Sequence, residues 1–381
     1  TVKRCKLIYQ SNHLVMLPYQ GIFKDKKVLI TGNTGFKGAW LSFWLSHVLE
    51  ANVYGLSNGV LESPSLFECL HLKSETDYRV VDVRNFEDVM KSIQSIQPDF
   101  VFHLAAQSLV RTAYEDPKLT VESNTLGTLN ILEALRCSTH PCTAVMITSD
   151  KVYDNVEWEW GYRENDRLGG KDPYSASKSA AEALIQTYYH SYFSSIDSPV
   201  RLSIARAGNV IGGGDWAKDR IVPDIFRAWS KKESVEIRNP NSTRPWQHVL
   251  EPLSGYLSLA DQLSDRRDLN GEAFNFGPAA DKDVSVQRLL EEMKRYWENG
   301  KWKIDLPEKE KMNEAHLLRL NCDKALNRLS WKPTLTFRET IQMTSDWYSF
   351  FYERKGDIEA FTTDQITKYM TLAKERNREW C

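Results

Sequence analysis

The sequence KVLITGNTGFKGAWLSFWL, from Lys27 to Leu45, decides the fold of this chain. Its first four residues, Lys27 to Ile30, are typical of a short buried strand, and three glycines then interrupt the pattern. Apolar residues resume with helical spacing from Ala39 to Leu49. The stretch therefore predicts a strand, a glycine turn and a helix.

The glycine turn has the spacing GxxGxxG, formed by Gly32, Gly35 and Gly38. Glycines allow positive φ angles and let backbone N–H groups approach an anion, and the helix that follows adds its positive N-terminal end. A pyrophosphate could bind there without a metal. The usual dinucleotide motif is GxGxxG, so an ordinary glycine-rich turn is an equally good interpretation of these three residues alone.

The composition is that of an ordinary globular protein. The chain has 381 residues, of which 41% are hydrophobic and 26% charged, so it can form a large core and two lobes. Its net charge of −2 comes from acidic and basic residues spread along the chain, which predicts no nucleic-acid and no membrane partner. No apolar run has the length of a membrane span or a signal sequence, and we expect a cytoplasmic protein.

The cysteines indicate neither a metal site nor a disulfide framework. They lack CxxC spacing and neighbouring histidines, so reduced thiols are expected. The six are Cys5, Cys69, Cys137, Cys142, Cys322 and Cys381. The N-terminal residues 1–22 have no clean apolar period and are expected to form a loose arm.

Strands and helices alternate along the first half of the chain. After the irregular stretch Ser57–Asp77 the rhythm is regular, which predicts an α/β fold with a doubly wound parallel sheet of the Rossmann type over residues 23–207. The predicted strands are Asn52–Leu56, Tyr78–Val83, Asp99–Ala105, Thr143–Ser149 and Val200–Ala207, and the predicted helices are Phe86–Ile96, Lys118–Leu135 and Pro173–Phe193.

The rhythm falters after residue 207. We expect residues 208–381 to form mainly a smaller C-terminal lobe that binds substrate, with helices over Val284–Glu298 and Arg338–Phe351, while segments near 245–278 return to the sheet domain.

Tyr174 and Lys178 stand four residues apart in PYSASK, which places them on one face of a helix. An ammonium close to a phenol favours the phenolate, and we expect Lys178 to lower the tyrosine pKa from its usual value near 10. The helix follows a strand that ends in Ser149, Asp150 and Lys151, so these side chains should meet at the carboxyl edge of the sheet. A tyrosine and a lysine on an ordinary surface helix are the alternative interpretation.

Together these motifs resemble the extended short-chain dehydrogenase/reductase family and, within it, the nucleotide-sugar 4,6-dehydratases, above all the branch that acts on CDP-glucose. The likeness covers roughly residues 23–350. It rests on TGNTGFKG, Asp82-Val83, HLAAQ at 103–107, Asn124, SDKVY, YSASK and ARAGNVIG at 205–212.

The resemblance implies NAD as cofactor, a nucleotide sugar such as CDP-glucose as substrate, and a homodimer, or a higher oligomer, formed through helices 118–135 and 173–193. Core packing is the alternative explanation for the apolar faces of these helices. The implied cofactor-binding residues are Gly32, Thr34, Gly35, Phe36, Lys37, Gly38, Asp82, Val83, Leu104, Ala105, Ala106, Asn124, Thr148, Tyr174 and Lys178. The implied substrate-binding residues are Asn209, Arg220, Arg244 and His248.

Two of these positions carry open alternatives. Lys37 could bind the cofactor phosphates or be a solvated lysine at a helix start, and Arg244 could lie on the surface. The second strand ends at Ser57 with no carboxylate nearby to accept a ribose 2′-hydroxyl, so discrimination of NAD from NADP should be weak or come from elsewhere.

The resemblance also implies the catalytic roles. Tyr174, assisted by Lys178 and Ser149, takes the proton of the C4 hydroxyl while hydride passes from C4 to NAD. Lys151 removes the C5 proton, Asp150 helps water leave from C6, and the hydride returns to C6. The product, CDP-4-keto-6-deoxyglucose, would serve deoxysugars of bacterial surface polysaccharide such as the lipopolysaccharide O-antigen.

The proposed base presents a difficulty, because a lysine with the reference pKa of about 10.4 is protonated at neutral pH. We hypothesise that burial beside Lys178 and the nicotinamide makes Lys151 a base. The alternative is that it stays charged and orders Asp150 or the keto oxygen.

Three other functions remain open from the sequence. They are a dehydratase for GDP- or dTDP-sugars, a UDP-sugar 4-epimerase, and a non-catalytic NAD-binding regulator. Asp150 and Lys151 occupy positions where epimerases tend to have small residues, which favours dehydration. The complete set of Ser149, Tyr174 and Lys178 argues against a regulator, which needs no phenolate.

Overall fold

The structure is a computed structural model that describes residues 17–237, 239–278, 284–304 and 317–380. Its centre is a sheet of seven strands, all parallel, in the order β7-β6-β5-β4-β1-β2-β3. The strands are β1 Lys27–Thr31, β2 Asn52–Ser57, β3 Asp77–Val80, β4 Phe100–His103, β5 Cys142–Ile147, β6 Val200–Arg206 and β7 Ala273–Asn275.

Helices cover both faces of the sheet. Alternate residues of a strand point to opposite faces, so Val28 and Ile30 belong to one apolar cluster and Leu29 to another. The longer helices are α1 Phe36–Phe43, α2 Phe86–Ile96, α3 Gly127–Arg136, α4 Pro173–Tyr188, α5 Ile221–Ser230, α6 Leu250–Asp265, α7 Val286–Met293, α8 Phe337–Tyr352 and α9 Ile358–Glu375. The cluster of Leu29 is formed with α2, α3 and α4, and that of Val28 with α1, α6, α8 and α9.

Shorter helical segments extend or connect these elements. Turns of π-helix, Trp44–Val48, Glu122–Leu126 and Tyr189–Phe193, follow α1, precede α3 and follow α4. The short α-helices are Gln20–Phe23, Leu66–Cys69, Leu72–Glu75, Val110–Glu115, Pro117–Val121 and Asp323–Leu329, and the 3-10 turns are Asp150–Val152, Arg267–Leu269 and Lys294–Tyr296.

The order of the strands reverses beside β1. The chain runs from β1 outward through β2 to β3, then returns to β4 on the other side of β1 and continues outward. Loops after β1 and β4 therefore diverge and leave a crevice at the carboxyl edge, where doubly wound sheets bind their ligands. The α/β, doubly wound fold predicted from the sequence is confirmed.

Several predicted boundaries shift. The helix expected from Ala39 begins at Phe36, and the irregular stretch Ser57–Asp77 contains two short helices. The strand expected at Tyr78–Val83 ends at Val80, because its partner β2 ends at Ser57, which pairs with Val80.

The smaller lobe is built from α5, α7 and α8 with short strand pairs. Ser234–Ile237 pairs in parallel with Lys301–Ile304, and Thr243–Arg244 pairs antiparallel with Val284–Ser285. Val210–Ile211 and Gln247–His248 form a third, parallel pair at the edge of the crevice. The helices predicted at Val284–Glu298 and Arg338–Phe351 are α7, with the 3-10 turn after it, and α8.

Both described chain ends pack on the core. The Tyr19 ring stacks on Trp380 at a centroid distance of 5.8 Å, and its hydroxyl donates to the Ser254 carbonyl. Residues 17–22 are thus packed, unlike the loose arm expected over 1–22, and residues 1–16 lie outside the described residues. The last helix, α9, places Tyr369 edge-on against Trp44. It therefore packs against the π-helical turn that follows α1 as well as against α8. Within the described ranges, every helix is too short or too polar to cross a membrane.

Candidate active site

The glycine turn after β1 fits closely against the loop after β4. Gly32 has a φ of 72°, and a Cβ there would lie 2.8 Å from the Ala105 backbone. A Cβ at Gly38 would overlap the Gly32 carbonyl oxygen, so the helix can start this close to the strand only with glycine. Gly35 caps α1 and is exposed. The first turn of α1 therefore opens toward the crevice.

Hydrogen bonds hold the loop that contains Leu104, Ala105 and Ala106. The Ala105 N–H donates to Thr31 Oγ1, and the hydroxyl of Thr31 lies 2.7 Å from His103 Nδ1. Burial lowers the pKa of His103 to about 3, so the ring is neutral. The loop is thus fixed to β1 without using a charge.

Thr34 and Ser57 meet at the carboxyl end of β2. Thr34 Oγ1 donates to the Gly59 carbonyl oxygen at 2.8 Å and lies 3.0 Å from Ser57 Oγ. After the next strand, Asp82 forms an ion pair with Arg84 at 2.6 Å, which lowers the pKa of the carboxyl group, and Val83 packs against Gly127. These residues border the crevice on the side of β2 and β3.

The turn after β5 presents the predicted acid. Ser149 Oγ donates to Asp150 Oδ1 at 2.9 Å, and Asn209 Nδ2 donates to the other carboxylate oxygen at 3.2 Å. A Cβ at Gly208 would overlap the Asp150 carboxylate. Asp150 is only 3% exposed, so its oxygens are oriented by these neighbours and not by solvent.

Tyr174 lies beside this turn at the start of α4. Its hydroxyl hydrogen-bonds Ser149, and burial, the largest cause, raises the pKa of the phenol to about 12. This differs from the expectation that Lys178 lowers that pKa, because the desolvation of a buried phenolate outweighs the Ser149 hydrogen bond and the charge of Arg220. Ser149 therefore contacts both the phenol and the acid.

Two lysines near each other at the crevice have lowered pKa values. Burial and the charge of Lys37 lower the pKa of Lys178 to about 8. Burial and then Arg220 lower the pKa of Lys37 to about 8. Lys37 is therefore the lysine that lies near Lys178, a position that was expected for Lys151. Lys151 itself is only half-buried, so the burial assumed for it is absent.

Two predicted cofactor residues have other contacts. Asn124 is fully buried, and its amide bonds both backbone groups of Gln107 and the hydroxyl of Ser177. It ties the loop after β4 to α4. The Thr148 hydroxyl donates to Glu182 instead of facing the crevice.

The predicted substrate residues differ in their exposure. Arg220 bonds Asp215 at 2.9 Å and Ser108 at 3.0 Å, and the charge of Asp215 raises its pKa. Arg244 is half-buried and donates to the Thr243 carbonyl oxygen. His248 does not fit its predicted role, since it is 0% exposed and its ring packs edge-on against Trp40. Its place in a short strand pair keeps it in the interior.

A buried ion pair behind the catalytic turn was not predicted from the sequence. Glu182 on α4 and Arg206 at the end of β6 are 0% and 3% exposed, and Arg206 Nε donates to Glu182 Oε1 at 2.9 Å. The signal was present: Glu182 follows Lys178 by four residues, on the same helical face, and Arg206 ends an apolar strand. No group of three or more possible metal ligands occurs among the residues that the structure describes.

The comparisons with known proteins agree with this geometry. A family model described as GDP-mannose 4,6 dehydratase matches residues 29–344. The CDP-glucose 4,6-dehydratase of Salmonella typhimurium is 42% identical over 356 residues, which are 92% of this chain and 98% of that enzyme. The dTDP-glucose 4,6-dehydratase of Haemophilus influenzae is 26% identical, over 85% of this chain and 98% of that enzyme.

Solved structures share the fold. A UDP-glucuronic acid 4-epimerase from Bacillus cereus, in complex with UDP-glucuronic acid and NAD, has a TM-score of 0.72 at 22% identity, over 86% of this chain and 100% of that one. A dTDP-glucose 4,6-dehydratase from Bacillus anthracis in complex with NAD has a TM-score of 0.68 at 19% identity, over 86% and 98%.

Proposed function

This chain belongs to the nucleotide-sugar dehydratase family described as GDP-mannose 4,6 dehydratase, within the extended short-chain dehydrogenases/reductases, and on that premise we propose that it dehydrates CDP-D-glucose to CDP-4-keto-6-deoxy-D-glucose and water. The resemblance drawn from the sequence is confirmed. The enzyme is a hydro-lyase, and the observation that carries its substrate is the 42% identity along nearly the whole chain to the Salmonella enzyme.

The cofactor is NAD, which family structures of the same fold hold. The crevice fits it: Gly32 brings the turn against the β4 loop, and the open first turn of α1 can bind a pyrophosphate. Ser57 and Thr34 offer hydroxyls to the ribose in place of a carboxylate. When bound, NAD would supply the hydride acceptor and a positive charge on its nicotinamide.

The positions of Tyr174 and Asp150 suggest how the protons move. Tyr174 takes the C4 proton as C4 is oxidised, and Asp150 gives a proton to the C6 oxygen as water leaves. The first group gains a proton and the second loses one in each turnover. Ser149 lies beside both groups, so it can position the phenol and the acid relative to each other. We propose Tyr174 as the base at C4 and Asp150 as the acid at C6, positioned by Ser149, with Lys178 as the neighbouring cation.

Lys151 remains our proposed C5 base. It follows Asp150 directly, and its half-buried side chain leaves it able to reach a bound sugar. In Lys151→Met, exchange of the C5 proton with D₂O should stop, whereas Lys171→Met, which removes an exposed lysine bound to the Asn155 carbonyl, should not change it. Exchange at the native rate in Lys151→Met would assign the proton removal to another group.

For the sugar nucleotide we propose Asn209, Arg220 and Arg244 from the smaller lobe, residues 208–381. Arg220 is supported by its position: Asp215 holds its guanidinium next to Tyr174. Its planar fork suits diphosphate oxygens.

We also propose that the enzyme is a cytoplasmic homodimer in the synthesis of surface-polysaccharide deoxysugars. Val121, Leu126 and Tyr192 are 43%, 45% and 50% exposed on the two helices expected to pair, which supports a second copy there. The four described cysteines are free thiols, as expected in a reducing compartment.

The test is incubation with CDP-glucose and NAD, followed by detection of a 4-keto sugar by its absorbance in alkali. We expect the keto sugar from CDP-glucose in preference to GDP-, UDP- and dTDP-glucose. Formation of a galactose-configured product without loss of water would identify an epimerase instead, and cofactor binding without any product would identify a regulator.

A further inference from the structure

The buried pair of Glu182 and Arg206 joins the three chain segments that carry the proposed catalytic groups. Glu182 lies on α4, two turns after Tyr174 and one turn after Lys178, so all three share a face. Arg206 ends β6, just before Gly208 and Asn209, which enclose the Asp150 carboxylate. The pair therefore connects the phenol's helix to the loop that orients the acid.

The third segment is the catalytic turn itself. The Thr148 hydroxyl, one residue before Ser149, donates to Glu182 Oε1. Beyond the turn, the Tyr153 hydroxyl accepts from Arg206 Nη1 at 2.7 Å, and the guanidinium lies 4.9 Å from the centroid of the Tyr153 ring. The turn is thus fixed to the pair at both of its ends.

The polar atoms of the pair have hydrogen-bond partners within the protein. Both Glu182 oxygens accept from Arg206, and Arg206 Nη1 also donates to the Glu164 carbonyl oxygen at 3.0 Å. A bidentate arginine fixes direction as well as distance, which a neutral hydrogen bond does less well. Small rotations of α4 or of the β6 end would break several of these bonds together.

From this arrangement we infer that Glu182 and Arg206 are positioning residues, which hold the phenol, the acid and the lysine in register and set the charge on Lys178. This inference rests on the proposed function, because only a dehydratase needs these three groups held in a fixed arrangement. The register and the charge of Lys178 can be measured without turnover.

The charges around Lys178 give the sign of the effect. Burial, the largest cause, and the charge of Lys37 on α1 lower its pKa, and Glu182 opposes both, so that the pKa of Lys178 is about 8. His103 on β4 also faces Lys178 and is neutral, and Tyr174 lies one turn before Lys178 on α4. Removing the carboxylate should therefore lower the lysine pKa, and removing the guanidinium should raise it, because the field of Glu182 is then no longer offset.

The experiment compares Glu182→Gln and Arg206→Gln with Glu251→Gln, a matched removal of a buried carboxylate whose partners are Thr334, Leu335 and Tyr369. In each full-length variant, acetic anhydride labelling of Lys178 is followed against pH by peptide mass spectrometry. We expect the labelling midpoint to fall by about one pH unit in the first variant and to rise in the second. It should be unchanged in Glu251→Gln.

The alkaline limb of kcat against pH should move with these midpoints. Arg206→Lys keeps the charge and should restore the native midpoint while kcat stays reduced, because the bidentate contact with Glu182 and the bond to Tyr153 cannot both be kept. Equal midpoints in native, Glu182→Gln and Arg206→Gln, or shifts of one sign in both, would overturn the inference. If CDP-glucose is not a substrate, the labelling midpoints still test whether the ion pair sets the charge of Lys178.

A further variant serves where loss of a charge prevents folding. Thr148→Val leaves the ion pair whole but frees the catalytic turn from Glu182. We expect kcat to fall about tenfold with KM and the Lys178 midpoint unchanged, since only the register is disturbed. An unchanged kcat would show that the turn does not depend on the pair.

Discussion

Two buried carboxylates, Glu182 and Glu251, lie in two regions of the molecule and have different kinds of hydrogen-bond partner. Glu182, beside the crevice, is paired with a buried guanidinium. Glu251 on α6 accepts from the N–H groups of Thr334 and Leu335 and from the Tyr369 hydroxyl, all neutral donors. Burial raises the pKa of Glu251 to about 7.

The partners explain the difference. The contacts of Glu182 belong to segments that carry reacting groups, so a fixed charge there serves geometry and the protonation of Lys178. The contacts of Glu251 belong to α9 and to the segment before α8, and they join the C-terminal part of the chain to the sheet's helix layer. Changes in the first region should therefore alter catalysis, and changes in the second should alter stability.

Replacement of Tyr174 by phenylalanine should show the largest effect in the first region. It removes the group that takes the C4 proton, so kcat should fall by about 10²–10⁴-fold. The lost hydrogen bond to Ser149 should lower the free energy of unfolding by only about 1 kcal/mol. Steady-state kinetics with CDP-glucose and urea denaturation measure the two quantities.

The control is Tyr188→Phe on the same helix. The Tyr188 hydroxyl donates to Glu133 at 2.9 Å, away from the crevice, so the variant should keep native kcat. A Tyr174→Phe enzyme with more than a tenth of native kcat would remove the phenol from the mechanism.

Gly208→Ala should give a smaller loss of activity. The new methyl group overlaps the Asp150 carboxylate, which is a side-chain end and can move, so the acid should be displaced while the fold survives. A misplaced acid should lower kcat by about 10²-fold. Gly169→Ala is the matched control, because its Cβ would meet Asp154 Cβ at an ordinary 3.4 Å. Native kcat in both variants would mean that Asp150 needs no fixed position.

The bounds of an element could be predicted where residues within the element and at its ends determine them. Helix α2 has the predicted bounds, Phe86–Ile96, because Asn85 caps its start and the apolar spacing runs its whole length. The order of strands and the crevice followed from the βα rhythm. The end of β3 did not, because Ser57 on the neighbouring strand determines it.

Within the site, sequence located residues better than it oriented them. Ser149, Asp150 and Tyr174 do meet at the carboxyl edge of the sheet. The direction of Thr148 depends on Glu182, and the burial of His248 depends on a two-residue strand pair, and neither is encoded in a local period. The high pKa of Tyr174 is likewise a property of the whole packed crevice.

Glu251→Gln tests the second region and should have the smallest effect on catalysis, with kcat within about twofold of native. The raised pKa means that the native state binds a proton at Glu251 between its ordinary value of 4.5 and about 7, where the unfolded chain does not. This contribution to stability is complete below pH 4.5 and is lost as pH rises through 7; its full size is on the order of 3 kcal/mol.

The amide cannot titrate, and it presents an NH₂ group to donors that need an acceptor. At pH 5 the variant should therefore be less stable than native by about 1–2 kcal/mol. By pH 8 the native enzyme has lost its proton-linked stability of about 2–3 kcal/mol, so the gap should close and then reverse in sign. The buried histidines, His103 and His248, titrate in both proteins and cancel in the difference. Urea denaturation from pH 5 to 8 measures the gap. A gap that stays constant with pH would mean that Glu251 is charged in the folded enzyme, and the two buried carboxylates would then differ in their partners but not in their charge.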